Sequence, residues 1–414
     1  MKLELDRSDF LKAWQVVEKY TPSKTTLDAL YCIRLTASGT DSLILEATDL
    51  KSSVRFTAKG ANVIDPGVVV IEAALFGNML RKFDSQTVTL DIIGEKGTLK
   101  AGRSTLRFTV PPADTFPNIP ESSGAEEICT LPAQDLSRLI TEGSCAASQP
   151  TDFPKYMGTC MLKTDEGNLM AISTDGKRLA RSQKHCDSVS KNEELVLPAA
   201  ALKDLAKTFS GENTVKILAD GSTVWFSIDN AEFSVRRIEA SFPKYEKIIN
   251  DEKKSSVNIS KDSLFAALSR IDLIAKFTPS HIMSLSLDPD KKEIRIAARA
   301  QEHGTSTEFL DADVQGNFMQ IGFNNQYLLD GLKAVNAESI AIEFSSDEGQ
   351  TRIYNENGRD FLYMLMPIRL MPQDLVVDEY SGEDTPSDAQ PAEEQPQEYS
   401  EPQPENYNPD DAPF

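Results

Sequence analysis

Residues 3–14 read "LELDRSDFLKAW": apolar and acidic residues alternate as far as Asp6, and then Phe10 and Trp14 stand four apart. The first half has the period of two of a half-buried strand. The second has the spacing of a helix, in which residues four apart share a face. The same pattern is written five more times, as "VVIEAALFGNML" from residue 69, "CTLPAQDLSRLI" from 129, "LVLPAAALKDLA" from 195, "VNISKDSLFAAL" from 257 and "IGFNNQYLLDGL" from 321. The last strand residues are Leu5, Ile71, Leu131, Leu197, Ile259 and Phe323, so successive copies lie 60 to 66 residues apart. Five positions on come Phe10, Phe76, Leu136, Leu202, Leu264 and Leu328; nine on come Trp14, Leu80, Ile140, Ala206, Leu268 and Leu332. Each copy thus presents one apolar stripe for burial on a sheet. Asp6, Ser260 and Asn324 are helix caps, and Pro132 and Pro198 suit helix starts, where a missing N–H costs nothing.

The spacing predicts helices over 8–19, 74–83, 134–143, 200–209, 262–276 and 325–335. Between them, runs such as "SSVRFTA", "TVTLDIIG", "TLKAGRSTLRFTV", "STVWFSID" and "EIRIAARA" alternate or are apolar, which predicts antiparallel strands. The expected fold is α+β, with three tandem domains (1–120, 121–250 and 251–370), each with two helices packed on antiparallel sheets. "FPNIP" at 116–120 and "FPKYEKII" at 242–249 fall at the two joins, where proline limits strand extension.

The chain of 414 residues carries a net charge of −21, unevenly spread. Residues 371–414 hold 13 of the 64 acidic residues, none of the 43 basic ones and eight of the 22 prolines, with no periodic apolar face. A disordered acidic tail is expected there. No apolar run approaches the ~20 residues of a membrane span, and the first residues lack the apolar stretch of a signal peptide, so a cytoplasmic location without membrane association is expected. Cys32, Cys129, Cys145, Cys160 and Cys186 form no CxxC pair, which fits reduced thiols. His185 beside Cys186 is too isolated for a metal site. Three histidines leave acid–base chemistry short of its usual residue, and an enzyme would fall back on carboxylates such as Asp165 and Asp175.

Ser173–Ala180, "STDGKRLA", gathers a hydroxyl, a carboxylate, a glycine and two cations, yet its Asp-Gly lies between strand-like runs and reads first as a hairpin turn. With "ATDLKSSVRF" at 47–56, "SFPKYEKII" at 241–249 and the closing "YMLMPIRL" at 363–370, this stretch resembles the bacterial DNA polymerase III beta subunits, the sliding clamps. The likeness spans residues 1–370. It implies a head-to-tail homodimer forming a ring of six domains, with twelve helices around duplex DNA. It implies no catalysis, cofactor or metal. The ring would tether the DNA polymerase III catalytic subunit, the clamp loader, other polymerases and repair proteins, which bind through short peptide motifs. The rival reading is a repeat-built scaffold that never encircles DNA.

Carried over residue by residue, the resemblance places a partner-peptide pocket at Met157, Thr174, Gly176, Lys177, Arg178, Leu179, Pro243, Ile248, Met364, Met366, Pro367, Ile368 and Arg369. Lys177 stands where the family often has histidine. Lys24 and Gln149 match positions that touch DNA; Arg81, Lys82, Arg138, Lys203, Lys207 and Lys333 are helix cations expected to face it. The predicted helices hold ten basic and eight acidic residues, a basic bias within an acidic body. Around Gln149, "SQPTDFPKYMG" is longer by two residues than the family pattern. The subunit joint is expected at Arg103, Leu106 and Arg107, facing Leu273 and Ile274 of the next subunit. Two roles are open for the tail: an acidic tether, or competition by Gln373–Val377 for the peptide pocket.

Overall fold

In the computed structural model, which describes residues 1–149, 151–250, 252–356 and 358–376, the chain repeats one order of elements three times. The first pass is β1 (Lys2–Asp6), α1 (Arg7–Glu18), β2 (Cys32–Ser38), β3 (Ser42–Thr48), β4 (Ser52–Ala58), β5 (Ala61–Asp65), β6 (Gly67–Glu72), α2 (Ala73–Lys82), β7 (Thr87–Ile93), β8 (Lys96–Ala101) and β9 (Ser104–Thr109). The second is β10 (Glu126–Pro132), α3 (Ala133–Gly143), β11 (Thr159–Asp165), β12 (Asn168–Thr174), β13 (Arg178–His185), β14 (Ser188–Val189), β15 (Glu194–Pro198), α4 (Ala199–Ala206), β16 (Thr214–Ala219), β17 (Thr223–Ile228) and β18 (Ala231–Arg236). The third is β19 (Ser255–Ser260), α5 (Lys261–Ala275), β20 (Ile282–Asp288), β21 (Glu293–Ala300), β22 (Gly304–Asp311), β23 (Asp313–Gly316), β24 (Met319–Asn324), α6 (Asn325–Ala334), β25 (Ser339–Phe344), β26 (Thr351–Asn355) and β27 (Phe361–Leu365).

The six stripes behave as one device. Phe10, Trp14, Phe76 and Leu80 are buried, as are Leu136, Ile140, Leu202, Ala206, Leu264, Leu268, Leu328 and Leu332. Helices pack in the pairs α1/α2, α3/α4 and α5/α6, and Phe10, Trp14 and Phe76 form one aromatic cluster with centroids 4.6–6.2 Å apart. Asp6 Oδ1 accepts from the backbone N–H groups of Ser8 and Asp9, and Asn324 Oδ1 from that of Tyr327, as helix caps do. One apolar core runs through the first two passes and another fills the third.

Strand order shows what joins the passes. Two sheets have nine strands: β14-β10-β16-β17-β18-β4-β3-β2-β6, and β23-β19-β25-β26-β27-β13-β12-β11-β15. Each is a five-stranded half from one pass hydrogen-bonded to a four-stranded half from another. At the joints, Ala231–Val235 of β18 pairs antiparallel with Ser52–Phe56 of β4, and Phe361–Leu365 of β27 with Arg178–Ser182 of β13. The remaining halves stay separate, as β5-β1-β7-β8-β9 and β22-β21-β20-β24. Position for position, β9 and β22 are the joint strands, and among the described residues neither has a neighbour on its outer edge.

The end of the chain departs from expectation at its first residues. Met371–Val376 is not an unstructured tail: Pro372–Asp374 forms a short 3-10 turn, closed by Met371 N–H donating to Asp374 Oδ2 (2.8 Å), and packs on β20 and β21. The rest of the expected tail, from Val377, lies outside the described residues. All five cysteines are unpaired.

Close packing of helix on sheet makes a test. A Cβ on Gly331 in α6 would come within 2.5 Å of the Tyr363 ring on β27. Gly-to-Ala inside a helix ordinarily gains about 1 kcal/mol. Here Gly331→Ala should instead lower stability, by roughly 1–3 kcal/mol of overpacking, read from the urea midpoint. Gly124→Ala, with nothing within 4 Å of the added carbon, should stay within about 0.5 kcal/mol of the parent. A raised midpoint for Gly331→Ala would contradict this packing.

Candidate functional site

The stretch 173–180 is a hairpin connection between β12 and β13. Gly176 takes φ +84°, Thr174 Oγ1 accepts from its N–H, and Asp175 Oδ1 accepts from the backbone N–H groups of Lys177 and Arg178. These bonds exhaust much of the local chemistry in holding the turn. Asp165, the other carboxylate considered for catalysis, lies beyond the far end of the seven-residue β12, roughly 20 Å away at the rise of a strand. The two do not form an acid–base pair.

On the sheet face away from the helices, the β13/β27 joint carries an apolar surface. Leu179 and Met364 are cross-strand partners, and with Met161, Met170, Ile172 and Tyr245 they make a separate buried apolar cluster, flanked by Val196, Phe242 and Ile249. Burial, reinforced by Glu246, raises the pKa of the Tyr245 phenol and keeps it neutral. Above this floor Met366 and Ile248 are 45% and 49% exposed. Met366 N–H donates to Lys177 O (3.0 Å), tying the turn to the closing segment, and Ile368 N–H donates to Gly322 O (2.8 Å). Met157 Cε would lie 3.6 Å from a Cβ on Gly176. Pro243, Pro367 and Ile368 are half-buried, while Lys177 and Arg369 are exposed. Met161 and Met170 are floor residues that sequence reading missed, although the strand period of "TCMLKTD" and "NLMAIST" puts both on one face.

Arg178 does not point to this face. Its guanidinium passes to the helix side, where Nε donates to Asp175 Oδ2 (2.9 Å) and Nη1 to Asp330 Oδ2 (2.8 Å) and the Tyr363 hydroxyl (3.1 Å), 4.1 Å from the Tyr327 ring centroid. Burial alone would disfavour the charge; Tyr363, Asp330 and Asp175 outweigh it and raise the pKa.

On the helix side, three concavities run side by side. One of about 610 Å³ lies between α1 and α2 and is lined by Lys12, Lys19 and Arg81. The next, about 530 Å³, shares Lys19 and adds Lys51 and Lys207. The third, about 680 Å³, shares Lys207 and adds Gln149, Lys203, Lys333 and Arg178. The track therefore gathers five of the expected DNA residues, Arg81, Gln149, Lys203, Lys207 and Lys333. It adds Lys12, Lys19 and Lys51, which were not singled out because their convergence is tertiary. Lys24 and Lys82 are exposed outside these linings. Arg138 is committed elsewhere, with Nε on the buried Glu142 carboxylate (2.9 Å) and Nη2 3.9 Å from Asp360. Arg81 is held by Glu18.

At the free edges, Arg103 and Arg107 are exposed and Leu106 packs partly on the first core. Leu273, near the end of α5, is 61% exposed, and Ile274 packs against the third-pass core. Among the described residues no group of three or more His, Cys, Asp or Glu side chains could hold a metal, and no helix is long and apolar enough to cross a membrane.

Residues 1–120, 130–244 and 246–369 match the models of the N-terminal, central and C-terminal domains of the DNA polymerase III beta subunit. The beta sliding clamp of Synechococcus elongatus is 26% identical over 377 residues, covering 89% of this chain and all of the relative; that of Staphylococcus aureus is 25% identical over 379 residues, covering 89% and 99%. Two solved structures share the fold. The sliding clamp of Bacillus subtilis is 22% identical with a TM-score of 0.83, over 90% of this chain and all of that one. The Pseudomonas aeruginosa DnaN sliding clamp, crystallised with griselimycin, is 24% identical with a TM-score of 0.82, over 89% and 100%. With all three domain models matched in order, the chain belongs to the DNA polymerase III beta subunit family of bacterial sliding clamps.

Proposed function

We propose that two copies of this chain close head to tail into a ring around duplex DNA and act as a processivity factor that carries partners rather than as a catalyst. The observation that carries this reading is the pair of half-sheets. Setting β22 of one copy against β9 of the other completes a sheet of four and five strands, the composition of both nine-stranded sheets. It also covers two strand edges that would otherwise invite aggregation. Three equivalent passes per chain make a six-domain ring from two chains, a closed arrangement of the kind oligomers favour. Leu106 and Leu273 supply apolar contact at the joint, with Ile274, Arg103 and Arg107 around it.

In such a ring all twelve helices line the hole, and the track from Arg81 to Lys333 faces the phosphates. Contacts to phosphates alone are independent of sequence and permit sliding, while closure supplies retention that a weak basic bias does not. Lys24, Lys82 and Gln149 extend the same surface. The groove over Met364 and Leu179 receives the peptide motifs of the DNA polymerase III catalytic subunit, the clamp loader, other polymerases and repair proteins. Its methionines adapt to different apolar side chains. The Pseudomonas aeruginosa clamp crystallised with griselimycin supports ligand capture by this fold. A cytoplasmic site of action accords with this role. The non-encircling scaffold is less favoured because it leaves β9 and β22 uncovered.

Sedimentation at micromolar concentration should give twice the 45.7 kDa chain mass, and Leu106→Asp should shift the protein to monomer by placing an unpaired charge in the joint. A wild-type monomer at that concentration would overturn the ring. Met366→Asp should weaken binding of a Gln- and Leu-containing clamp-binding peptide roughly thirty- to a thousandfold, the 2–4 kcal/mol of a central apolar contact, with mass and thermal midpoint unchanged. Unaltered peptide affinity would place the groove elsewhere.

A further inference from the structure

The joint between β4 and β18 repeats the turn, the crossing and the linker of the joint between β13 and β27. Thr48 Oγ1 accepts from the Leu50 N–H (2.9 Å) and Asp49 Oδ1 from those of Lys51 and Ser52 (2.9 and 2.6 Å), as Thr174 and Asp175 do in the later turn. Arg236 N–H donates to Lys51 O (2.8 Å) where Met366 N–H donates to Lys177 O, and Ile238 N–H to Val196 O (2.9 Å) where Ile368 N–H donates to Gly322 O. Ser53 stands opposite Ser234 where Leu179 stands opposite Met364. The linker "FPNIP" at 116–120 corresponds to "FPKYE" at 242–246, with Ile119 buried where Tyr245 is.

The scaffold is shared, but the chemistry is inverted. Three apolar positions of the later joint, Leu179, Met364 and Met366, are held here by Ser53, Ser234 and Arg236. Around them lies a cavity of about 440 Å³, to which Leu50, Lys51 and Ile119 also contribute. Its lining has two cations and no carboxylate, whereas each of the three hollows on the helix side has at least one acid, such as Glu18, Asp204 or Asp330. Lys51 and Arg236 are exposed, and neither side chain has a hydrogen-bond or ion-pair partner among the described residues. The carboxylates nearby are committed: Glu46 lies between Arg34 (2.7 Å) and Arg55 (2.9 Å), and Asp49 and Asp220 hold their own turns. On the floor, the buried hydroxyls of Ser53 and Ser234 share one hydrogen bond (2.5 Å), which leaves the second proton for an acceptor from outside. In a chain of net charge −21, this is a place for an anion.

One apolar residue is kept at the rim against the preference of the backbone. Leu50 takes φ +71°, where its counterpart Gly176 takes +84°, and it is 45% exposed. Residues other than Gly, Asn and Asp seldom adopt this left-handed conformation, so the turn does not select leucine, and exposure shows that the core does not either. Backbone strain of this kind collects at ligand sites.

Resting on the reading of the β13/β27 surface as a peptide site, we propose that the β4/β18 cavity is a second peptide site of opposite polarity. It takes an acidic segment of a partner, whose carboxylates meet Lys51 and Arg236 while one apolar side chain packs on Leu50 and Ile119. Ser53 and Ser234 alternate with the core residues Val54 and Val235, so the cavity opens on the face away from the helices and is separate from the cationic hollows.

The test is an anisotropy titration of the full-length chain with two fluorescein-labelled peptides, an acidic probe (Gly-Glu-Asp-Leu-Glu-Asp-Gly) and the Gln- and Leu-containing clamp-binding peptide. The acidic probe should bind saturably and more weakly as salt is raised. Lys51→Glu/Arg236→Glu should weaken it roughly tenfold while leaving the clamp-binding peptide unaffected. Leu50→Gly should weaken it roughly threefold with a thermal midpoint no lower than the parent's, because glycine accepts the left-handed turn. Met366→Asp should not change it. No saturable binding, or an affinity indifferent to Lys51→Glu/Arg236→Glu, would overturn the second site. Loss of the acidic probe in Met366→Asp would overturn it too, by placing the probe on the apolar surface. A lower midpoint with unchanged affinity in Leu50→Gly would make Leu50 a packing residue and contradict its role. Tighter binding of a single-stranded oligonucleotide, with the same dependence on Arg236, would assign the cavity to nucleic acid instead. Failure of the clamp-binding peptide on the parent refutes the first peptide site, whereas failure of the acidic probe alone refutes only the second.

Discussion

Backbone hydrogen bonding across the strand joints is the constraint on which the rest of this structure depends. A strand edge left in water is a template for other chains, and a folded protein must pair it, cover it or blunt it. This chain has three equivalent pairs of joint strands. It satisfies two internally, β18 with β4 and β27 with β13, and among the described residues β9 and β22 have no neighbour on their outer edges. The repeated helices follow from the same arrangement. Each pair buries its stripe against the sheets of its own pass, and the first two passes share one apolar core. Tyr20 of the first pass lies 5.6 Å, centroid to centroid, from Phe233 of the second, and their core is continuous.

The two faces of the shared sheets divide the work. The helix face carries cations interspersed with carboxylates around three adjoining hollows, and the outer face carries a methionine-rich floor at the β13/β27 joint. The turn at Thr174–Leu179 belongs to both. Leu179 packs in the outer apolar cluster, while Arg178, the residue before it, turns through to the helix side and binds Asp330. That bond links the second pass to α6 of the third, so a buried charge reinforces the joint. Its partners are close enough to compensate for desolvation, which an unpaired guanidinium there would not survive.

Much of this was legible in the sequence because it is local. Period and capping located all six helices within about three residues, and the twelve stripe positions are buried as their spacing requires. Strand pairing between passes is not local: nothing in "SSVRF" or "FSVRR" announces that the two are neighbours. Side-chain direction at joints was hidden for the same reason. Arg178 was expected in the groove because its neighbours line it, but adjacent strand residues face opposite ways. Arg138 was expected to be available to DNA, yet buried Glu142, four residues on, and distant Asp360 occupy it. The strap at Met371–Val376 escaped notice because its anchors, Arg295, Arg299 and Gly322, lie far upstream.

In the proposed ring, completion of the third sheet by a second copy would make the protein's hold on DNA topological rather than adhesive. The most direct measurement is retention on nicked circular DNA after loading, followed by linearisation of the same circles in moderate salt. A closed ring stays with the circles through gel filtration and is released once ends are available. Equal retention on circular and linear DNA, or equal loss from both, would contradict it.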